Sequence, residues 1–403
     1  MNITADLFSG GGGMSFGFHA HENFSVVGAA DVEVGKPSTG HGAIGCNATY
    51  QANMGISPLH ADLSVLKPEE LAAQILPAGR SELDVLLACP PCTGFSRAVS
   101  KNYVQEDPRN SLVARVADFA AVLKPRVIVM ENVPQLLNGN FRHHFTALNR
   151  RLTKQGFRLH AASYVLTRFG LAQQRERALL IAVKGDLKAR TLDDLWEGYG
   201  VDPSATTVHR AIKSLPVIAT GETDSADVNH TSPLLSGESL ERIRRMPHDG
   251  GSWPDLLGDP ETERYLIPSM RKAVEGGRPN AYRDVYGRMA WNRPAPTIKR
   301  ECTHVGNGRY SHPEQDRQCT LRELAILQGF PRSYRFVGPS RKNLYRQVGD
   351  AVPPLISFQL AHVVNWILGG DRPDIESVIL PETHLKASDL TRHDDFSRQL
   401  SLV

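Results

Sequence analysis

Cysteine is scarce in this 403-residue chain: Cys46, Cys89, Cys92, Cys302 and Cys319 form an odd, scattered set. That usage excludes a disulfide framework and fits a reducing compartment. No apolar run reaches the roughly 20 residues a membrane helix needs, and residues 1–3 open no signal-peptide pattern. The expectation is therefore a cytoplasmic protein with no membrane partner. Repeats are lacking, and a net charge of +3 is too small to prove a nucleic-acid partner. What is present, 41% hydrophobic and 22% charged residues, is ordinary globular composition. The length allows a large core and more than one lobe. Charge is unevenly placed, with eleven Lys/Arg against four Asp/Glu over residues 293–346. Such an excess can meet phosphates or form a solvated basic face.

Short apolar runs at 3–8, 25–30, 85–88, 127–131, 161–166 and 178–183 read as strands, with helical spacing between them, notably at 111–123 and 142–155. Strands alternating with helices predict an α/β fold with a doubly wound, Rossmann-like sheet. Ligands of such sheets sit beyond the carboxyl ends of the strands. After residue 186 the periodicity fades and Asp, Gly, Pro, Ser and Thr become frequent. This divides the chain into a first domain over 1–185, a smaller irregular one over 186–290 and a C-terminal segment over 291–370. Helical pattern returns at 321–328 and 355–367. The polar tail, 371–403, is expected to be poorly ordered.

Four stretches and two single acids carry chemistry. DLFSGGGG (6–13) follows the first strand and precedes a helix, so its backbone can approach a ligand at a helix N-terminus. It lacks the Lys-Ser/Thr of a phosphate loop. Asp31 and Asp62 follow at later strand ends, where an acid can hold ribose hydroxyls or merely cap a turn. LACPPCTGFS (87–96) places Cys89 and Cys92 three residues apart, but no second Cys/His pair completes a zinc site, and no metal is expected. A redox pair remains an alternative to a single nucleophile, Cys92, mounted beyond a strand end by Pro90 and Pro91, with Cys89 packed as a small hydrophobe. MENV (130–133) ends a buried strand in Glu131, and QQRER (173–177) sets Arg175 and Arg177 on one face. A carboxylate there can bond a heterocyclic base or cap a loop; the arginines can bind anions or pair on the surface.

Taken in order, these stretches resemble the C5-cytosine DNA methyltransferase family. RPAPTI (293–298), GDAVP (349–353) and the run 312–331 between them resemble its C-terminal motifs, so the resemblance covers about residues 1–370. It implies an S-adenosylmethionine-dependent fold with a target-recognition domain over 186–290. It implies S-adenosylmethionine contacts from Asp6, Phe8, Ser9, Gly10, Gly12, Gly13, Asp31, Asp62, Pro90, Asp350 and Val352. Cys92, Glu131, Arg175 and Arg177 take the catalytic roles, while Ser96, Arg97, Gln173 and Thr297 would touch DNA. The segment 93–110 looks like a loop that closes over a flipped base.

The implied activity is methylation of C5 in a cytosine of double-stranded DNA, by a monomer. Its compact length suggests the modification half of a bacterial restriction–modification system, nucleoid-associated while on DNA, with a cognate restriction endonuclease acting separately. A tRNA-methylating relative and a catalytically silent DNA-binding relative are the alternatives. Thr93 stands where many members carry Gln, and Asp350 where the last motif often has Asn. An apparent insertion over 34–46 leaves Asp31, preferred, and Glu33 as competing ribose ligands. HDGGSW (248–253) is either a DNA-facing loop or a turn beside a packed Trp253.

Overall fold

A computed structural model describes residues 1–34, 44–92, 94–95 and 106–392. Its main sheet contains β1 (Asn2–Leu7), β2 (Phe24–Asp31), β3 (Leu59–His60), β4 (Val85–Ala88), β5 (Val127–Asn132), β6 (Phe157–Val165) and β7 (Glu176–Lys184). The order is β3-β2-β1-β4-β5-β7-β6. Neighbours from β3 to β5 are parallel, and β7 runs antiparallel to both β5 and β6. All six apolar runs became strands; only β3, two residues long, is too short to show a period. Strands β4 and β5 are buried along their whole length. They therefore read as continuous apolar runs rather than alternating ones.

Both faces of the sheet are covered. One carries helices Gly13–His19 and Pro354–Ile367, whose Met14, Phe18, Ile356, Leu360 and Val364 share a core with Val85, Val127 and Ile181. The other carries helices Pro68–Ile75, Leu112–Leu123 and His143–Lys154. In Leu112–Leu123 the buried Val113, Val116, Ala117 and Ala120 follow helical spacing. The chain leaves β1 for β2 and β3 on one side, then returns to β4 on the other. That reversal is the topological switch point, and the carboxyl ends of β1 and β4 flank its crevice.

The second lobe has its own core, including Leu235, Ile243, Met246, Trp253, Met270 and Val305. Its start differs from the sequence expectation. Leu192, Leu195 and Trp196 belong to the core of the first lobe, where the Trp196 indole donates to Gln359 Oε1 at 3.0 Å. The one-turn helix Leu192–Leu195 is too short to show a period. The tail also differs. Ile375, Val378, Leu380 and Leu385 are buried, and β8 (Tyr199–Val201) pairs antiparallel with β9 (Leu390–Arg392). Isolated apolar anchors in a polar stretch hold it through residue 392.

Candidate active site

The loop after β1 turns sharply. Phe8 adopts φ 60°, a strained conformation for a side chain with a Cβ, and Gly12 adopts φ 90°. Gly13 sits so close to the Val352 carbonyl that a Cβ would lie 2.2 Å from its oxygen. The helix Gly13–His19 is thereby seated against the C-terminal segment. Ser357 Oγ joins the two, accepting from the Gly17 N–H at 3.1 Å and donating to the Gly13 carbonyl at 2.8 Å.

Around this junction lies a cavity of about 450 Å³, within the usual range for small-molecule sites. Asp6, Phe8, Ser9, Gly10, Gly13, Asp31, Asp62, Pro90, Asp350 and Val352 line one continuous wall system with Cys92 and Glu131. Gly12 faces elsewhere, toward Tyr50, Met54 and Tyr334, and shapes the turn rather than the cavity. Asp31 accepts from the Gly10 N–H at 3.0 Å and the Glu33 N–H at 2.6 Å, tying the ends of β1 and β2 together. Glu33 also borders the cavity and accepts from the Asn47 N–H at 2.7 Å. Residues 35–43 of the apparent insertion lie outside the described residues.

Asp6 is fully buried. Burial pushes its carboxyl up to about 7, against the bond from Ser15 Oγ at 2.6 Å and with the help of nearby Asp31. Its Oδ1 and the Ser9 hydroxyl have no hydrogen-bond partner among the described residues. Buried polar atoms without partners are costly and call for a ligand or water. Asp350 keeps 40% of its side chain exposed at the cavity edge; partial desolvation pushes its carboxyl up, and Arg300 opposes that from 3.0 Å.

At the other end, Cys92 follows the two prolines beyond β4. Burial pushes its thiol up; Arg177 pulls it down and Glu131 pushes it up again. Cys89 is half-buried, borders the same cavity and continues the β1 pairing through its N–H to the Leu7 carbonyl at 3.2 Å. Burial lifts its thiol well above the ordinary value. Glu131, in the last turn of pleat of β5, stands 2.7 Å from Arg177 Nε. The pair is ionic without an aligned hydrogen bond at Oε1, so the carboxylate keeps acceptor capacity toward the cavity. Asn132 donates to the Pro90 carbonyl at 3.0 Å and so fixes the end of β5 to the cysteine loop.

Arg175 is 2% exposed and does not reach the cavity wall. It donates to the carbonyls of Ile298 at 3.1 Å and Ala351 at 3.0 Å. Burial, then Arg177, push its guanidinium down to about 9, so it stays charged at neutral pH. Gln173 is a correction to the DNA-contact expectation: it is fully buried, bonding Gln328 and accepting from the Ile298 N–H at 2.8 Å. Thr297 is half-buried and donates to the Gln174 carbonyl. Ser96, Arg97 and Thr93 lie outside the described residues. Trp253 is fully buried with its indole donating to the Tyr282 carbonyl at 3.3 Å, so HDGGSW packs as a turn.

The basic excess over 293–346 divides likewise. Arg317, Arg322 and Arg346 are buried against Glu323, Asp227 and Glu301, whereas Arg293, Lys299, Arg332, Arg335, Arg341 and Lys342 are exposed. Two charged cavity residues escaped the sequence reading. Arg109 is held by Asp107 at 2.7 Å in the turn beginning Pro108–Ser111, and Arg300 pairs with Asp350. The Asp-Pro-Arg capping pattern was a usable signal for the first. The second needed the fold, since its partner is fifty residues away.

Comparisons with known proteins agree with this geometry. A family model described as C-5 cytosine-specific DNA methylase matches residues 3–366. The chain is 32% identical over 374 residues to Type II methylase M.HgiDII of Herpetosiphon aurantiacus, covering 92% of this chain and 97% of that one. It is 29% identical to Type II methyltransferase M1.HphI of Haemophilus parahaemolyticus, covering 90% and 87%. Among solved structures, a DNA modification methyltransferase encoded within an E. coli prophage superposes with a TM-score of 0.67 at 20% identity, over 92% of this chain and all of the other. The chain thus belongs to the C-5 cytosine-specific DNA methylase family and is a DNA (cytosine-5) methyltransferase.

Proposed function

We propose that the chain transfers a methyl group from S-adenosylmethionine to C5 of a flipped-out cytosine within a specific duplex sequence. In this reading it protects host DNA as the modification half of a bacterial restriction–modification system. The observation that carries the proposal is that Cys92 and Glu131 share one cavity with the glycine loop. S-adenosylmethionine, when bound, supplies an electrophilic methyl group on a cationic sulfonium. The donor set fits it. Asp6, Asp31, Asp62 and Asp350 favour a cation, Ser9 Oγ and Asp6 Oδ1 lack partners, and Phe8, Pro90 and Val352 offer apolar wall.

Cytosine C5 is a poor nucleophile until C6 is attacked. Cys92 Sγ forms the bond to C6, its proton passing to solvent, and the C5–C6 π pair moves toward C5 and N3. Glu131 accepts from the N4 amino group, and a proton from solvent relayed through its other oxygen to N3 neutralises the charge gathering there. Arg177 orients Glu131 from 2.7 Å. Arg175 is a positioning residue, holding the 298 and 351 backbones that wall the cavity. When the C5 proton later leaves to solvent, the Sγ–C6 bond breaks and Cys92 is restored. None of this is possible within a stacked duplex, so the base must be extruded.

The second lobe would read the sequence, and the exposed basic residues over 293–342 would meet phosphates. All catalytic groups come from one chain, which supports a monomer; any restriction endonuclease would act separately. No helix among the described residues is long and apolar enough to cross a membrane, in keeping with a cytoplasmic enzyme acting on the nucleoid. The DNA-methylase match and intact Cys92, Glu131, Arg175 and Arg177 speak against the tRNA-methylating and silent readings. The test is labelled S-adenosylmethionine with mixed-sequence duplex DNA, followed by bisulfite sequencing. Label in 5-methylcytosine at one sequence, lost in Cys92→Ala, is expected; label only in tRNA, or none in any nucleic acid, overturns the reading.

A further inference from the structure

Outside the cavity, one cluster of ligating side chains has no part in the chemistry above. Helix His143–Lys154 begins with two adjacent histidines, and both rings turn to one carboxylate. His144 Nε2 stands 2.6 Å from Glu106 Oε1, and His143 Nε2 stands 3.1 Å from the same oxygen. One ligand atom from each residue lies within 4.8 Å of the others. Consecutive helical residues point about 100° apart, so convergence of both rings on one oxygen is not what helix geometry gives by default. No lysine or arginine pairs with Glu106 among the described residues; its ion partners are the two imidazoles.

We propose that Glu106, His143 and His144 form a binding site for one divalent transition-metal ion of the zinc class. Two imidazole nitrogens and one carboxylate oxygen are a borderline donor set suited to such ions and not to magnesium or calcium. Tetrahedral zinc with ligands near 2.1 Å separates them by about 3.4 Å. The present spacings of 2.6 and 3.1 Å need to open by less than an ångström. A fourth position would go to water, since His143 and Glu106 are about half exposed. The two rings lie with centroids 4.1 Å apart and planes 37° from each other.

The position gives the site a consequence. His144 packs edge-on against Phe95 at 5.9 Å, and the Phe95 N–H donates to the Cys92 carbonyl at 3.0 Å. Three residues after Glu106, Arg109 lines the cavity and is held by Asp107. An ion would therefore fasten Glu106 to the helix that already packs on Phe95, close in sequence to a cavity arginine and to the nucleophile.

Equilibrium dialysis of the full chain against Zn²⁺ tests this, with every variant checked for an unchanged circular-dichroism spectrum. The expected result is one tightly bound equivalent. It should weaken at least tenfold in Glu106→Gln and in the His143→Ala/His144→Ala double variant, and persist in Cys92→Ala. Zn²⁺ should also raise the melting temperature of the parent and not of Glu106→Gln. Binding unchanged by the cluster variants, binding lost in Cys92→Ala, or no binding at about millimolar Zn²⁺ overturns the site. Because the readout is metal occupancy, it stands apart from whether DNA is methylated.

Discussion

Two arginines, both almost completely buried, show how differently the surroundings of the cavity and the packing around helix Leu321–Leu327 treat charge. Arg317 meets Glu323 through two nitrogens, with Arg317 Nη2 to Oε1 at 2.6 Å and Nη1 to Oε2 at 2.8 Å, and also bonds the carbonyls of Ile218 and Gln318. Burial alone would raise the Glu323 carboxyl, but Arg317 outweighs it and holds it down at about 2. Arg175 has no carboxylate partner among the described residues. It holds backbone carbonyls, keeps an unpartnered Nε and is pushed down to about 9. On the cavity wall Asp6 Oδ1 and Ser9 Oγ also lack hydrogen-bond partners among the described residues. Every nitrogen of Arg317 finds an acceptor; beside the cavity, polar atoms are left open. Unsatisfied buried groups are destabilising unless something binds them.

The widest break in that comparison is expected from Cys92→Ala. It should lower methyl transfer by at least about 10³-fold while leaving the denaturant midpoint close to the parent value, since the half-buried thiol packs at a cavity edge. A midpoint collapse would mean that Cys92 is structural. Glu323→Gln should do the reverse, costing about 3–5 kcal/mol of stability by stranding Arg317. Under conditions where the variant is folded, turnover per folded molecule should be unchanged. Urea titrations alongside single-turnover assays decide both.

The same contrast explains what could be read from sequence. The six longer strands, helices Leu112–Leu123 and Pro354–Ile367, and the wall formed by Asp6, Asp31, Pro90, Cys92 and Glu131 were legible, because each lies in or just beyond a buried apolar run. Gln173 was misread because a polar side chain beside two arginines looks like a ligand-binding group, whereas its bonds to Gln328 and Ile298 lie more than 120 residues away. Arg317, Arg322 and Arg346 were counted as surface charge because their acidic partners are set by tertiary contacts. Charge count does not distinguish a phosphate contact from a buried ion pair. The stretch just past residue 186 shows the same limit of local reading, as Trp196 packs in the sheet's core and is anchored by Gln359.

The pH dependence of stability should carry opposite signs in the two regions. Asp6 titrates near 7 in the folded chain against an ordinary 3.8, so the folded state holds the extra proton between those values. Its contribution is fully present below about pH 4 and is lost as pH rises through about 7, a span on the order of 4 kcal/mol. Glu323, at about 2 against 4.5, contributes stability above pH 4.5 that is lost as pH falls through about 2. Asp6→Asn should therefore flatten the decline between pH 4 and 7 relative to the parent. It should also weaken S-adenosylmethionine binding above pH 7, where the parent's carboxylate opposes the sulfonium charge. An Asp6→Asn stability profile parallel to the parent's would place the titrating group elsewhere.

The smallest effect tests how the Asp6 environment is built. The Tyr50 hydroxyl donates to Ser15 Oγ at 2.8 Å, and Ser15 Oγ donates to Asp6 Oδ2 at 2.6 Å. Donation into the serine oxygen polarises its O–H and strengthens the second bond. Tyr50→Phe keeps the buried ring and removes only the first link. It should cost about 0.5–1.5 kcal/mol and move the Asp6 transition to higher pH, because a weaker bond from Ser15 stabilises the carboxylate less. If Tyr50→Phe loses stability with the Asp6 midpoint unmoved, the two hydrogen bonds act independently and Tyr50 is a packing residue alone.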